Sequence, residues 1–500
     1  MLQRPVIFWL ALCSLTLTLI GCGVFGPRPA SPTPDYPRLE TKVAIKLMAT
    51  LTAKAPTPTA TSTPTATSQP TPTVLTPTPS ATATPVSGMV LAMVRLSEGQ
   101  AANVVLYSVA DQDEQVLTHF AEPLNMSDLR WSHDGQWLII VSTHDYIASA
   151  SSERNVFMLR PDGTDLQMVT GDYVDPSKAP GPYAILNGQV LSATSPCRVY
   201  AQGASGAVMT AEDGSFELPG VPVAAKWVRA VCPEETLLLE GHVPLETTAE
   251  AFAPITITVQ AQGQGWRQAS LSPDGQVLAG TTYTWTLDAD GAVITALQGM
   301  LYSIEDEQMT TLALPDGTVL GGLDWSPDGT QLVGALASDE GASLWLWSAQ
   351  GESLGPLVEL ANPESELFAA ASPAWSPDGA RIAFELRRNY WWKDPQYRVD
   401  LMAASVAQQQ AELLVENPWG TDALHPSWSA DSSMVYYQRS VGDPAQSYQA
   451  RTGGDIWAVP IARPTPFQFT MDGLSTMPAA RPVVRTIPIE VPSPTVTASP

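Results

Sequence analysis

From about residue 88 onward, short apolar runs alternate with breaks rich in Pro, Asp, Ser and Gly. That pattern predicts strands joined by tight turns rather than helices. Its plainest form is Leu323-Asp324-Trp325-Ser326-Pro327-Asp328-Gly329-Thr330-Gln331-Leu332-Val333, an apolar run, a three-residue break and a second apolar run. Pro presets φ at the first turn position, Asp can bond the turn backbone, and Gly accepts a positive φ. The unit recurs at Trp375-Ser376-Pro377-Asp378-Gly379 and, without the Trp, at Ser272-Pro273-Asp274-Gly275. Decayed copies stand at Trp131-Ser132-His133-Asp134-Gly135 and Trp428-Ser429-Ala430-Asp431. Asp134, Asp274, Asp328, Asp378 and Asp431 are read as turn formers and the tryptophans as packing residues, not as ligands.

The motif serines fall at 132, 272, 326, 376 and 429, so the last three intervals are 54, 50 and 53 residues. A repeat of about 50 residues built from short strands predicts a β-propeller. Each signature supplies the inner two strands of a blade. Third strands are expected at 103–109, 156–160, 300–304, 343–348, 399–405 and 455–459, each followed by a fourth. Six outer pairs against five signatures predict six blades, the first borrowing its innermost strand from 482–491. Such closure removes open sheet edges.

The interval of 140 residues between Ser132 and Ser272 holds more than one blade. Its excess, residues 185–259, alternates as strands and reads as an inserted β-sandwich, with residues 210–222 expected to form a hairpin. Cys197 and Cys232 fall on two of its strands; in an exported chain two cysteines pair, and the alternative is two buried thiols.

The repeat resembles the WD40-like, or PD40, repeat of the TolB β-propeller family over about residues 88–491. That resemblance implies a propeller fold and contacts with envelope proteins, without naming a partner. Asp213-Gly214-Ser215-Phe216-Glu217-Leu218-Pro219-Gly220-Val221-Pro222 is similar to the signature of carboxypeptidase-regulatory-like, transthyretin-fold domains, which implies a small sandwich without catalytic residues. Near the N-terminus, Arg4 and an apolar run end in Leu19-Ile20-Gly21-Cys22, which resembles a bacterial lipobox. It implies cleavage before Cys22 and a diacylglycerol on its sulfur, and so a lipid-anchored, extracytoplasmic protein on the bacterial cell surface or envelope.

Composition fills in the rest. Residues 23–87 are mostly Pro, Thr, Ala and Ser, a disordered stalk with one short helix-like stretch at 36–54; as polyproline II it would reach on the order of 150 Å. The same composition returns in a tail at 492–500. The formal charge of −25 argues against nucleic acid, which needs clustered Lys and Arg. No Gly-x-Ser-x-Gly elbow and no His or Cys array for a metal is present. The chain is therefore expected to be no enzyme and to take no cofactor or metal. Asp288-Ala289-Asp290-Gly291 is read as a turn rather than a calcium loop.

In a propeller the second-to-third-strand loops and the links between blades share one rim, and the Pro-Asp-Gly turns occupy the other. The longest such loops are 143–155, 386–398 and 439–454. The second gathers Arg387, Arg388, Tyr390, Trp391, Trp392, Lys393, Tyr397 and Arg398 in a chain otherwise poor in positive charge. Arg and aromatic residues are those of interface hot spots, so this loop is the candidate ligand surface; packing beneath a neighbouring loop is the alternative. The resulting expectation is a monomeric, non-catalytic surface protein that binds an envelope protein or glycan. The competing readings are a propeller that performs or assists extracellular hydrolysis, and a structural spacer.

Overall fold

The computed structural model describes residues 90–482 except 96–101, 110–112, 120–125, 144–153, 171–178, 180, 234–237, 249–250, 289–290, 362–367, 389–397 and 442–453. Cys22, the stalk with its expected helix, and the tail lie outside the described residues. Every regular element among the described residues is a strand.

The molecule is an all-β propeller. Six four-stranded antiparallel sheets repeat one meander. Blade 2 runs Asp128–Trp131, Leu138–Ser142, Asn155–Leu159 and Gln167–Met168. Blade 3 runs Gln262–Leu271, Val277–Asp288, Gly291–Ser303 and Gln308–Leu312, and blade 4 runs Val319–Trp325, Gln331–Ser338, Gly341–Ser348 and Ser353–Ala361. Blade 5 is Phe368–Trp375, Arg381–Arg388, Arg398–Ser405 and Gln410–Val415; blade 6 is Thr421–Trp428, Met434–Val441, Asp455–Pro460 and Phe467–Gln468.

Blade 1 is assembled from both ends of the described chain. Ser475–Ala480 lies innermost and pairs with Val90–Arg95, followed by Asn103–Ser108 and Asp113–Val116. The expected closing strand at 482–491 is thus corrected: the place is filled before Pro482. Pro cannot donate to a ladder, and Ser475–Ala480 contains only Pro478, where the pairing register shifts. Arg481 extends the join, donating its N–H to the Val90 carbonyl at 2.9 Å.

Burial explains what the hydrophobic pattern showed. Strands near the axis are covered on both faces by neighbouring blades, so Leu138–Ser142 is buried at every position. The outermost strand of blade 1, Asp113–Val116, is exposed at every position and carries no such run. Cores form between blades rather than within them. Leu320, Leu323, Trp325, Leu332 and Trp347 of blade 4 pack with Ala279, Leu301 and Leu312 of blade 3. Leu91 and Met93 of blade 1 pack with Tyr436 and Ile456 of blade 6, which closes the ring.

The link from blade 2 to blade 3 carries a second all-β body. One sheet holds Tyr183–Leu191, Ser215–Pro222 and Ile255–Thr258; the other holds Val208–Met209, Arg198–Ala201, Trp227–Pro233 and Leu238–Pro244. Leu186, Val190, Phe216, Leu218 and Ile257 from the first face Val199, Ala201, Val228 and Ala230 from the second across a shared core. Cys197 and Cys232 are disulfide-bonded. The expected hairpin at 210–222 is not formed. Val208–Met209 pairs with Arg198–Ala201, whereas Ser215–Pro222 pairs with Tyr183–Leu191, so the Asp213-Gly214 turn passes between the sheets. That crossing lets Phe216 and Leu218 bury against the opposite sheet. Reciprocal backbone bonds between Glu240 and Gln260 tether this body to the start of blade 3.

Candidate functional site

The signature turns build one rim. In each, the Ser hydroxyl donates to the Asp carboxylate two residues on, as at Ser326–Asp328 (2.6 Å), Ser376–Asp378 (2.6 Å) and Ser429–Asp431 (2.7 Å). The same carboxylate accepts a later backbone N–H, from Thr330, Ala380 or Ser433. These hydroxyl and N–H donors hold the Asp328 and Asp431 carboxyls below the usual carboxylate range. Gly329 and Gly379 sit at φ +71° and +73°, each against the proline of the preceding blade's turn. In the decayed copy of blade 6, Ser432 takes that left-handed place at φ 59°. Two of the motif tryptophans reach sideways: Trp131 and Trp428 donate their indole N–H to the carbonyls of Ala479 and Ala374 on the preceding blades, whereas Trp375 donates to the Gly379 carbonyl of its own turn. All five motif aspartates are therefore engaged with their own turn serines.

Towards the channel the repeats diverge. The innermost strands of blades 3 to 6 each carry a register shift just before the signature. The backbone is left-handed at Ser372, His425 and Met477, with φ between 47° and 53°. A bulge leaves inner-strand N–H groups without ladder partners, and a buried N–H must find an acceptor. Side chains of the preceding blade supply them. Asp128 accepts from the Ala269 N–H (3.2 Å), Gln268 from Leu323 (2.7 Å) and Asp324 from Trp375 (2.6 Å). Glu385 accepts from His425 (2.9 Å) and Gln438 from Met477 (3.3 Å).

Charged residues concentrate in the same place. Arg130 pairs with Asp128 at 3.0 Å and Asp324 at 3.2 Å, and donates to the Pro373 carbonyl at 3.2 Å. Ser270 also donates to Asp324 at 2.6 Å. Arg387 holds Glu385, which is fully buried, at 2.6 Å. Burial alone would raise the Glu385 carboxyl, yet Arg387 and its other neighbours bring it below its usual value. Asp422, 1% exposed, is pushed well up by burial despite Arg387. Burial likewise holds the His425 imidazole below its usual value, against the pull of Glu385 and Asp128. The chemistry this offers is pairing between blades, together with two groups, Asp422 and His425, poised to be neutral.

The predicted ligand surface is only partly within the described residues: Tyr390, Trp391, Trp392, Lys393 and Tyr397 lie outside. Its three described arginines do not form one patch. Successive strand residues face opposite sides, so Arg387 enters the channel network while Arg388 faces Asp400 at 3.1 Å. Arg398, directly across the ladder from Arg388, meets the same carboxylate at 3.2 Å and Glu416 at 3.0 Å. Two arginines opposite one another would repel; the buried Asp400 between them removes that cost. Arg398 also lies 4.9 Å from the ring of Trp419, which is 49% exposed on the link to blade 6.

Sequence reasoning missed Arg130, Asp324, Glu385, Asp422 and His425. The signal was present: aligned on the motif Ser, the position two residues before it reads Arg130, Ser270, Asp324, Ala374 and Ser427, a base and an acid in equivalent places. It also missed the length of the blade 3 hairpin, whose strands run 12 and 13 residues and turn at Asp288 and Gly291. The alternation Thr282-Tyr283-Thr284-Trp285-Thr286-Leu287 marks it.

Fold and channel together define a β-propeller whose blades are joined by side-chain-to-backbone bonds around a charged axis. No family model matches the chain, and no curated protein matches it in sequence. Among solved structures it is similar to TolB from Acinetobacter baumannii, at 12% identity over 79% of this chain and 67% of that one, with a TM-score of 0.43. It is also similar to a periplasmic gluconolactonase from Pseudomonas aeruginosa, at 15% identity over 78% and 97% of the two chains, TM-score 0.37. A chain of a nidogen/laminin complex matches at 7% identity over 80% and 100%, TM-score 0.39.

Proposed function

We propose that this is a lipid-anchored, extracytoplasmic binding protein whose propeller engages an envelope protein or glycan through the long-loop rim. The observation that carries the reading is how the charged groups are used. Asp128, Asp324, Glu385 and Asp400 each hold an arginine and accept a backbone N–H, so they serve the scaffold rather than stand ready for a substrate. Function concentrates on loops carried by a rigid scaffold of this kind. The Cys197–Cys232 disulfide supports an oxidising compartment, as the lipobox-like Cys22 implies. The Asp213–Pro222 string supports a carboxypeptidase-regulatory-like origin for the inserted body.

The test is co-sedimentation of the full-length chain with the producer's envelope fractions, comparing wild type, Trp391→Ala/Trp392→Ala and Trp419→Ala. Binding lost in the substituted proteins, with near-UV circular dichroism unchanged, is the expected result. Equal binding by all three contradicts the rim assignment.

A hydrolase is the second reading, favoured by one observation: Asp422 and His425, both shifted by burial towards neutrality, stand with Glu385 and Arg387 in the channel. Perturbed groups that converge in this way mark catalytic sites elsewhere. Degradation of isolated envelope glycan by wild type but not by Asp422→Asn would establish it.

A further inference from the structure

We infer that Arg130 is a tie across the propeller axis, locking blade 2 to blades 4 and 5. The sheet order places blade 2 three blades from blade 5 in either direction round the ring. Yet the guanidinium of Arg130 donates to the carbonyl of Pro373, on the innermost strand of blade 5. It does so while paired with Asp128 on its own blade and Asp324 on blade 4. One planar group thus holds three blades, two of them not neighbours of its own.

Its two carboxylates are themselves braces. Asp128 holds the Ala269 N–H of blade 3, and Asp324 holds the Trp375 N–H of blade 5 and the Ser270 hydroxyl of blade 3. The guanidinium therefore sets the orientation of acceptors that join blades 2 to 3 and 4 to 5. Arg suits the role because its rigid fork serves several acceptors at once and keeps its charge when buried. Lys would present one compact charge and could not span the same three partners.

The consequence is a ring whose opposite blades are joined by a charged tie as well as by the contacts between neighbours. This holds whichever macromolecule the long-loop rim recognises, and so can fail or stand independently of that reading.

The experiment uses the full chain as wild type, Arg130→Met, Arg130→Lys, Asp324→Asn and, as a control at the start of the second strand of blade 5, Arg381→Met. The readouts are the thermal midpoint and site-resolved hydrogen exchange. Arg130→Met is expected to lower the midpoint by ~5 °C or more, because it strands two buried carboxylates. Exchange should rise by about tenfold or more at the amides of both Ala269 and Trp375, a factor of ten being the usual measure of ~1.4 kcal/mol of lost protection. Arg130→Lys should fall between, and Arg381→Met should leave both amides as in wild type. A midpoint within 1 °C of wild type (roughly the scatter of surface substitutions), with both amides still protected, overturns the inference. Should Arg130→Met fail to fold, Asp324→Asn decides. A shared tie predicts faster exchange at Ala269 as well as Trp375, and a change confined to Trp375 overturns it.

Discussion

Two positions of the same repeat, two residues apart in sequence, behave in opposite ways. The motif Ser, at 132, 272, 326, 376 and 429, does the same thing in every copy: it closes a turn on its own Asp. The position two residues earlier holds Arg130, Ser270, Asp324, Ala374 and Ser427, and no two of these do the same thing. Arg130 crosses the axis, Ser270 donates to Asp324, Asp324 holds two blades, and Ser427 accepts from Ala480 to help close the ring. Ala374 offers only its carbonyl, to the indole of Trp428. A position that repeats supplies a local, transferable bond. A position that varies supplies the bonds that make one ring rather than six sheets.

Substitutions can break that contrast. The largest effect is expected at the varying level: Glu385→Ala should cost about 3–5 kcal/mol in urea unfolding, because it removes the buried carboxylate that pairs with Arg387 and accepts the His425 N–H. Asp422→Asn should act in the opposite sense. The folded carboxyl titrates well above its unfolded value, so its contribution is fully present at acid pH and is lost as pH rises through the folded pKa. The amide variant should therefore be the more stable protein above that pKa, with the two converging in acid; a pH series of unfolding midpoints measures this.

At the repeating level the effects should be smaller and equal. Asp328→Ala and Asp378→Ala should each cost about 1.5–3 kcal/mol, the value of hydrogen bonds to a charged acceptor, and should add when combined. Unequal or coupled losses would show that the turns are not independent units. The smallest effect is a slope. His425 has a folded pKa below its unfolded one, so its contribution is present above about 6.5 and is lost as pH falls through the folded value. His425→Gln should flatten the acid limb of the stability profile between pH 6.5 and 5 (roughly the range histidine spans) and leave pH 8 unchanged.

The same contrast explains what could be read in the sequence. The turn at Ser326-Pro327-Asp328-Gly329 is legible because its residues are chosen by local backbone geometry, and so are the continuous apolar runs such as Leu138–Val141 that both neighbouring blades bury. The closing strand was misplaced because Ser475–Ala480 is short, opens on two polar residues and contains a proline, and its partner Val90–Arg95 lies nearly 400 residues away, beyond any local signal. The residues at 210–222 looked like a hairpin because a Gly turn specifies a reversal but not which sheet receives the next strand. That Arg387 parts from Arg388 and Arg398 was not legible, because composition does not record that strand neighbours face opposite ways. Their acidic partners, Glu385 and Asp400, were in plain view as isolated charges within apolar strands, where a buried charge requires a counter-ion.

The most direct test of the contrast is a double-substitution cycle on Arg130 and Asp324, using Arg130→Met, Asp324→Leu and the pair, with unfolding free energies from denaturant titration. If the varying position joins the blades across the axis, the pair should cost less than the sum of the single substitutions by about 2 kcal/mol or more, because removing both charges strands neither. Additive losses, within ~0.5 kcal/mol, would mean that the two residues act separately and that no tie crosses the axis.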